Sequence, residues 1–74
     1  MMNREETLNY YKEKALKVEQ ELKQIFDKIE DANVQGGIEE SCRVQNEFAY
    51  RIDYLLERFR YYDDNIKILK ARVD

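Results

Sequence analysis

The chain has 74 residues, 39% charged and 43% hydrophobic, with 13 Lys and Arg against 16 Asp and Glu and a formal net charge of −3. It is too short for more than one domain, too rich in Leu, Ile, Val, Phe and Tyr for a disordered tail, and too acidic for general attraction to nucleic acid or anionic lipid. The single cysteine, Cys42, excludes an intrachain disulfide and a cysteine-rich zinc site, and the absence of histidine removes the usual general base and metal ligand.

The opening stretch MMNREETLNYY carries no apolar targeting region, and no later run approaches the length of a membrane span. The expectation is a cytoplasmic protein that does not engage membranes. Asn3 followed by Glu6 reads as a helix N-cap with a carboxylate three residues on that reaches back. From Leu8 the apolar positions run Leu8, Tyr11, Ala15, Val18, Leu22, Ile25, Ile29 and Ala32. Alternating steps of three and four make this a coiled-coil seam, which predicts a first helix over about 3–33.

The pattern stops at NVQGG, and the chain has no other glycine and no proline. Gly36 or Gly37 can adopt the conformation that ends a helix, and Glu39 and Glu40 suit the positive start of the next one. The turn is placed at about 34–37. A second seam then runs through Ile38, Ser41, Gln45, Phe48, Ile52, Leu55, Phe59, Tyr62, Ile66, Leu69 and Val73, predicting a second helix over about 38–73.

Folded back at the glycines, residues 1–74 form one all-α unit, an antiparallel two-helix coiled-coil hairpin. That register sets Ala32 near Ile38, Leu22 near Phe48, Ala15 near Leu55 and Phe59, and Tyr11 near Phe59. It also lets Glu21 meet Arg51 and Lys12 meet Asp63, and lets Phe26 cover Ala49 and a buried Cys42. The second arm overhangs the first, so that Ile66, Leu69 and Val73 face only Met1 to Arg4.

A hairpin this thin buries one stripe per helix, a core that seldom supplies more than about 3–5 kcal/mol. At about 100° per residue, Ile52, Leu55, Phe59 and Tyr62 face the first helix, while Tyr50, Tyr54, Tyr61 and Ile68 cluster about 130° away. Leu56 widens the seam on its other side. Tyr50, Tyr54, Tyr61, Ile68 and Leu56, with Ile66 and Leu69 at the overhang, are therefore the expected protein interface. A second copy, giving a homodimeric helical bundle, or a different helical protein is the expected partner.

Arg43, Arg51, Arg58 and Arg72 fall within about an 80° sector beside the tyrosines. Arginines interleaved with aromatics can hold nucleic acid by phosphate contact and base stacking, which makes a dimeric RNA- or DNA-binding hairpin the alternative reading. The plainer role for these arginines is to partner glutamates across the hairpin. Paired acids such as Glu39 and Glu40 diverge on a helix, and Cys42 has no histidine partner. No catalytic, metal or cofactor residue is expected, and an enzyme is not.

In plan the hairpin resembles the small substrates of type VII secretion, which makes a secreted helical-hairpin substrate a third reading. Val34, Gln35 and Gly36 stand where that family has Trp-x-Gly, and Tyr61 leads to Asn65 and Tyr62 to Ile66 in place of its Tyr-x-x-x-Asp/Glu signal. Plan and size are also similar to the plasmid copy-control RNA-binding hairpin. Neither likeness extends to the residues, and shape alone does not transfer function.

Overall fold

The structure, a computed structural model, describes residues 2–72 and contains helix α1 (Arg4–Glu47) and helix α2 (Ala49–Ala71). A straight helix of the length of α1 would extend about 66 Å, yet the molecule measures 54 × 20 × 15 Å. The difference comes from one residue. Gly37 has φ 76 and ψ −166 inside the otherwise helical α1, and there the chain reverses. This backbone region is essentially confined to glycine. Its neighbour Gly36 stays helical and is needed for a different reason. A Cβ on Gly36 would lie 2.6 Å from the Glu40 Cβ across the turn.

The result is an antiparallel helical hairpin with a first arm of residues 4–36 and a second of residues 38–71. Cross-arm contacts fix its register. Arg4 donates to the Leu69 carbonyl at 3.2 Å, the Tyr11 and Tyr62 rings lie 6.1 Å apart, and Glu21 pairs with Arg51. All three pairs are centred on Gly36 or the bond that follows it. A broad turn over 34–37 would centre the hairpin about one residue earlier, which is why Tyr11 meets Tyr62 and Tyr61 and not Phe59. The same shift brings Arg4 opposite Leu69, so the expected overhang does not extend over Ile66 and Leu69, both half-buried. Val73 and Met1, named with them, lie outside the described residues.

The first arm starts on Asn3, which has extended backbone (φ −77, ψ 176) and whose side-chain Oδ1 accepts the Glu6 N–H at 2.8 Å. The Thr7 hydroxyl donates to the Asn3 carbonyl at 2.9 Å, and no hydrogen bond from the Asn3 N–H to the expected Glu6 carboxylate is formed. Every position of the predicted first seam is turned inward: Ala15, Leu22 and Ile25 are buried, and Leu8, Tyr11, Val18, Ile29 and Ala32 are half-buried. In the second arm Leu55 and Tyr62 are buried, with Ser41, Phe48, Ile52, Phe59, Ile66 and Leu69 half-buried.

The centre of the core is Leu22, Ile25 and Leu55, packed about by Val18, Ile29, Phe48 and Ile52. Phe48 sits at a local break between α1 and α2, with φ −100 and ψ 4, and its N–H is shared between the Val44 and Gln45 carbonyls at 3.2 Å each. The Phe48 side chain packs against the core at this break.

Two seam positions are exceptions. Ile38 is 77% exposed, and Gln45 is exposed as well. With the chain reversing through a single residue, Ile38 lies level with Gln35, beyond the last apolar position of the first seam. Ala32 is too far back to cover it. Among the described residues only Ala15, Leu22, Ile25, Leu55 and Tyr62 are buried, so most of the apolar side chains border solvent.

Candidate interaction faces

Each arm presents residues to both edges of the hairpin, and the two edges differ in character. On one edge lies the aromatic and arginine band. Tyr61 packs edge-on against Tyr11 with ring centroids 6.2 Å apart, and against Tyr62 at 5.6 Å. Tyr10 continues the cluster at 5.5 Å from Tyr11, with Lys14 over its outer face. Rings of two arms thus interlock where the hairpin is open, in the offset geometry that aromatic quadrupoles favour. The Tyr61 hydroxyl beside Tyr11, then partial burial, raises the Tyr11 phenol above its ordinary value.

The expected strip residues follow along the second arm. Tyr54 and Tyr61 are each 51% exposed and Ile68 52%, while Tyr50 is 90% exposed. Leu56, also expected in the interface, is about half exposed but lies on the other edge, while Ile66 and Leu69 are held within the hairpin's open end. The sequence named these residues together as the protein interface, with Leu56 on the other side of the seam and Ile66 and Leu69 at the overhang. The structure divides them between a tyrosine edge, a leucine edge and the arm-to-arm contact.

The arginines expected beside the tyrosines have acceptors of their own. Arg51 reaches across the hairpin to Glu21 through two hydrogen bonds of 2.5 and 2.9 Å, and its guanidinium lies 5.2 Å from the Tyr54 ring centre. The hydrogen bond from Arg51 holds the Glu21 carboxyl below the usual carboxylate range. Arg58 donates to the Tyr62 hydroxyl at 2.6 Å and stacks over the Tyr61 and Tyr62 rings at 5.4 and 5.0 Å. Arg43 is clasped by Glu40 and Glu47, and its hydrogen bond lowers the Glu40 carboxyl likewise. Arg72 lies exposed at the end of α2, where its N–H donates to the Ile68 carbonyl. Three of the four guanidiniums are thus engaged within the chain.

The opposite edge carries an apolar groove that sequence reading did not assemble. Leu22, Phe26, Leu56 and Phe59 line it, with Glu19, Lys23 and Asp27 on its rim. Phe26 was expected to cover Ala49 and Cys42. Instead Phe26 lines this groove with Leu22, Leu56 and Phe59, in keeping with the lean of helical side chains toward the N-terminus. Cys42 is exposed, and the expected buried thiol is corrected. Asp63 likewise pairs with Lys67 one turn on, at 2.9 Å, and not with Lys12 across the hairpin. Leu16, 54% exposed near this edge, is a residue the sequence reading passed over. Its signal was a second stripe of three- and four-residue steps outside the seam.

No group of His, Cys, Asp and Glu among the described residues converges in a way that could hold a metal ion, and no described helix is long and apolar enough to cross a membrane. No protein-family model matches the chain, and no curated protein and no solved structure is significantly similar to it.

Proposed function

We propose that this hairpin is a small protein–protein interaction module, an adaptor, regulator or inhibitor of the cytoplasm, that associates with itself and presents its tyrosine edge to a helical protein partner. The observation that carries the reading is the imbalance of apolar surface. Among the described residues five side chains are buried, whereas eleven large hydrophobic ones are exposed, among them Tyr50, Tyr54, Tyr61, Ile68, Leu56, Leu16 and Phe26. Single exposed hydrophobic residues are ordinary, but aligned ones along a helix edge mark a contact surface. Nothing in the residues supports catalysis, and no cofactor enters this reading.

The engaged guanidiniums weigh against the alternative of RNA or DNA binding. A phosphate would have to displace Glu21 from Arg51, and Glu40 and Glu47 from Arg43, in a chain of net charge −3. The test is affinity capture with the wild type and with Tyr54→Glu/Tyr61→Glu. The expected result is a protein retained by the wild type at moderate salt and lost by the double variant, whose helical signal is unchanged. Equal retention by the two would remove the tyrosines from the contact.

A further inference from the structure

The first arm carries a stripe about 90° from the seam and about 80° wide. Lys12, Leu16, Glu19, Lys23, Phe26 and Glu30 occupy it, and all six are exposed. Among the described residues, Lys12, Glu19, Lys23 and Glu30 make no ion pair within the chain, although other charges of the hairpin do.

The order of these residues is self-complementary. Reversing the stripe about the level of Glu21 exchanges Lys12 with Glu30, Leu16 with Phe26, and Glu19 with Lys23. Every charge meets the opposite sign, and each apolar residue meets an apolar one. A contact related by a two-fold axis uses the same patch twice, so a patch that matches its own reversal is what an isologous dimer requires. A partner of different sequence places no such demand on a helix face.

The second arm fits the same axis independently. The Glu21–Arg51 pair puts Arg51 level with the axis. Leu56 lines the groove, Ala49 two turns before it shares its helix face, and the midpoint between them falls within about 2 Å of that level along the helix. The rotation that pairs Leu16 with Phe26 therefore brings the large Leu56 to the small Ala49 of the second copy. That is the large-against-small matching that close-packed helices need.

We infer that a second copy of this chain covers the Leu16, Phe26 and Leu56 edge, first arm antiparallel to first arm, in a four-helix bundle whose register is set by Lys12–Glu30 and Glu19–Lys23 pairs between copies. This rests on the reading of the hairpin as a contact module, and it names the occupant of one of the two edges. The tyrosine edge remains open for the other partner. The four rim charges steer orientation, while Leu16, Phe26, Leu56 and Phe59 provide the area removed from water.

Lys12 and Glu30 supply the test because they are about 27 Å apart on one helix, well beyond the roughly 10 Å screening length at 0.1 M salt. Neither can sense the other within a chain. Lys12→Glu alone sets like charges against each other twice in a homodimer, and so does Glu30→Lys. A mixture of the two variants restores both pairs in a heterodimer. Sedimentation equilibrium at that same salt should show each variant dimerising about tenfold more weakly than the wild type, from a few tenths of a kcal/mol lost and reversed at each rim pair. The mixture should recover the wild-type constant as a one-to-one species. Phe26→Ser, at an exposed site, should disperse the dimer while the circular dichroism remains helical.

Two results would overturn the pairing. If the single variants assemble like the wild type and the mixture shows no preference, self-contact lies on another face, and the contact-module reading stands. If the wild type has monomer mass at every concentration up to the millimolar range, the second copy is not the occupant. Capture by the tyrosine edge would then be judged separately.

Discussion

At the scale of single residues, Leu55 and Gly37 bear most on the hairpin. Leu55 is the least exposed side chain among the described residues, at 2%, and completes the core with Leu22 and Ile25. Leu55→Ala should remove about 2–5 kcal/mol, against a total of similar size, and largely unfold the chain in circular dichroism. An unchanged melting temperature would mean that the core lies elsewhere. Gly37→Ala meets no neighbour within 4 Å but forces a side chain into φ 76. It should destabilise the hairpin by about 1–3 kcal/mol from backbone strain alone. Phe59→Ala should be milder than Leu55→Ala, because Phe59 is half-buried.

At the scale of the elements, the seam was legible residue by residue because the core between two helices selects one stripe and the three-four step reveals it. All eight first-arm positions, from Leu8 to Ala32, face inward as read. The turn was legible as a pair of glycines but not as a reversal at Gly37 alone. The register, and with it the exposure of Ile38 and the partner of Tyr11, depends on that detail. Phe26 and Cys42 were misread for another reason: wheel angles place Cα atoms, whereas helical side chains lean toward the N-terminus, and Phe26 lines the groove with Leu56 and Phe59.

The Glu21–Arg51 bridge, which the pattern did anticipate, gives the hairpin an acid limit. Because Glu21 titrates below its unfolded value, its contribution is present above the ordinary carboxylate range and is lost as pH falls through the lowered value. Glu21→Gln should flatten the acid side of a stability-against-pH curve. Tyr11 acts in the opposite sense. Its raised phenol contributes below about pH 10 and loses that contribution as pH rises through the folded value. Tyr11→Phe should therefore reduce the alkaline loss of stability.

For the whole molecule, a hairpin 54 Å long and 15 Å across its thinnest dimension has little interior. Its two edges are where further burial is available. The tyrosine edge could be foreseen in part, since Tyr50, Tyr54, Tyr61 and Ile68 recur at helical spacing. The leucine edge could not be assembled from the second arm alone, because its groove is shared between Phe26 of one arm and Leu56 and Phe59 of the other. A nucleic-acid surface predicts that retention of labelled RNA or DNA falls steeply with salt and is abolished by Arg51→Glu/Arg58→Glu. The contact reading predicts no retention even at low salt.

If assembly supplies stability that the thin core lacks, folding and association are linked by mass action. Thermal melting followed by circular dichroism over a hundredfold range of protein concentration measures that linkage directly. The account predicts a melting temperature that climbs with concentration in the wild type and is flattened in Phe26→Ser. A wild-type melting temperature independent of concentration, with a single 9.0 kDa species in sedimentation throughout, would contradict it.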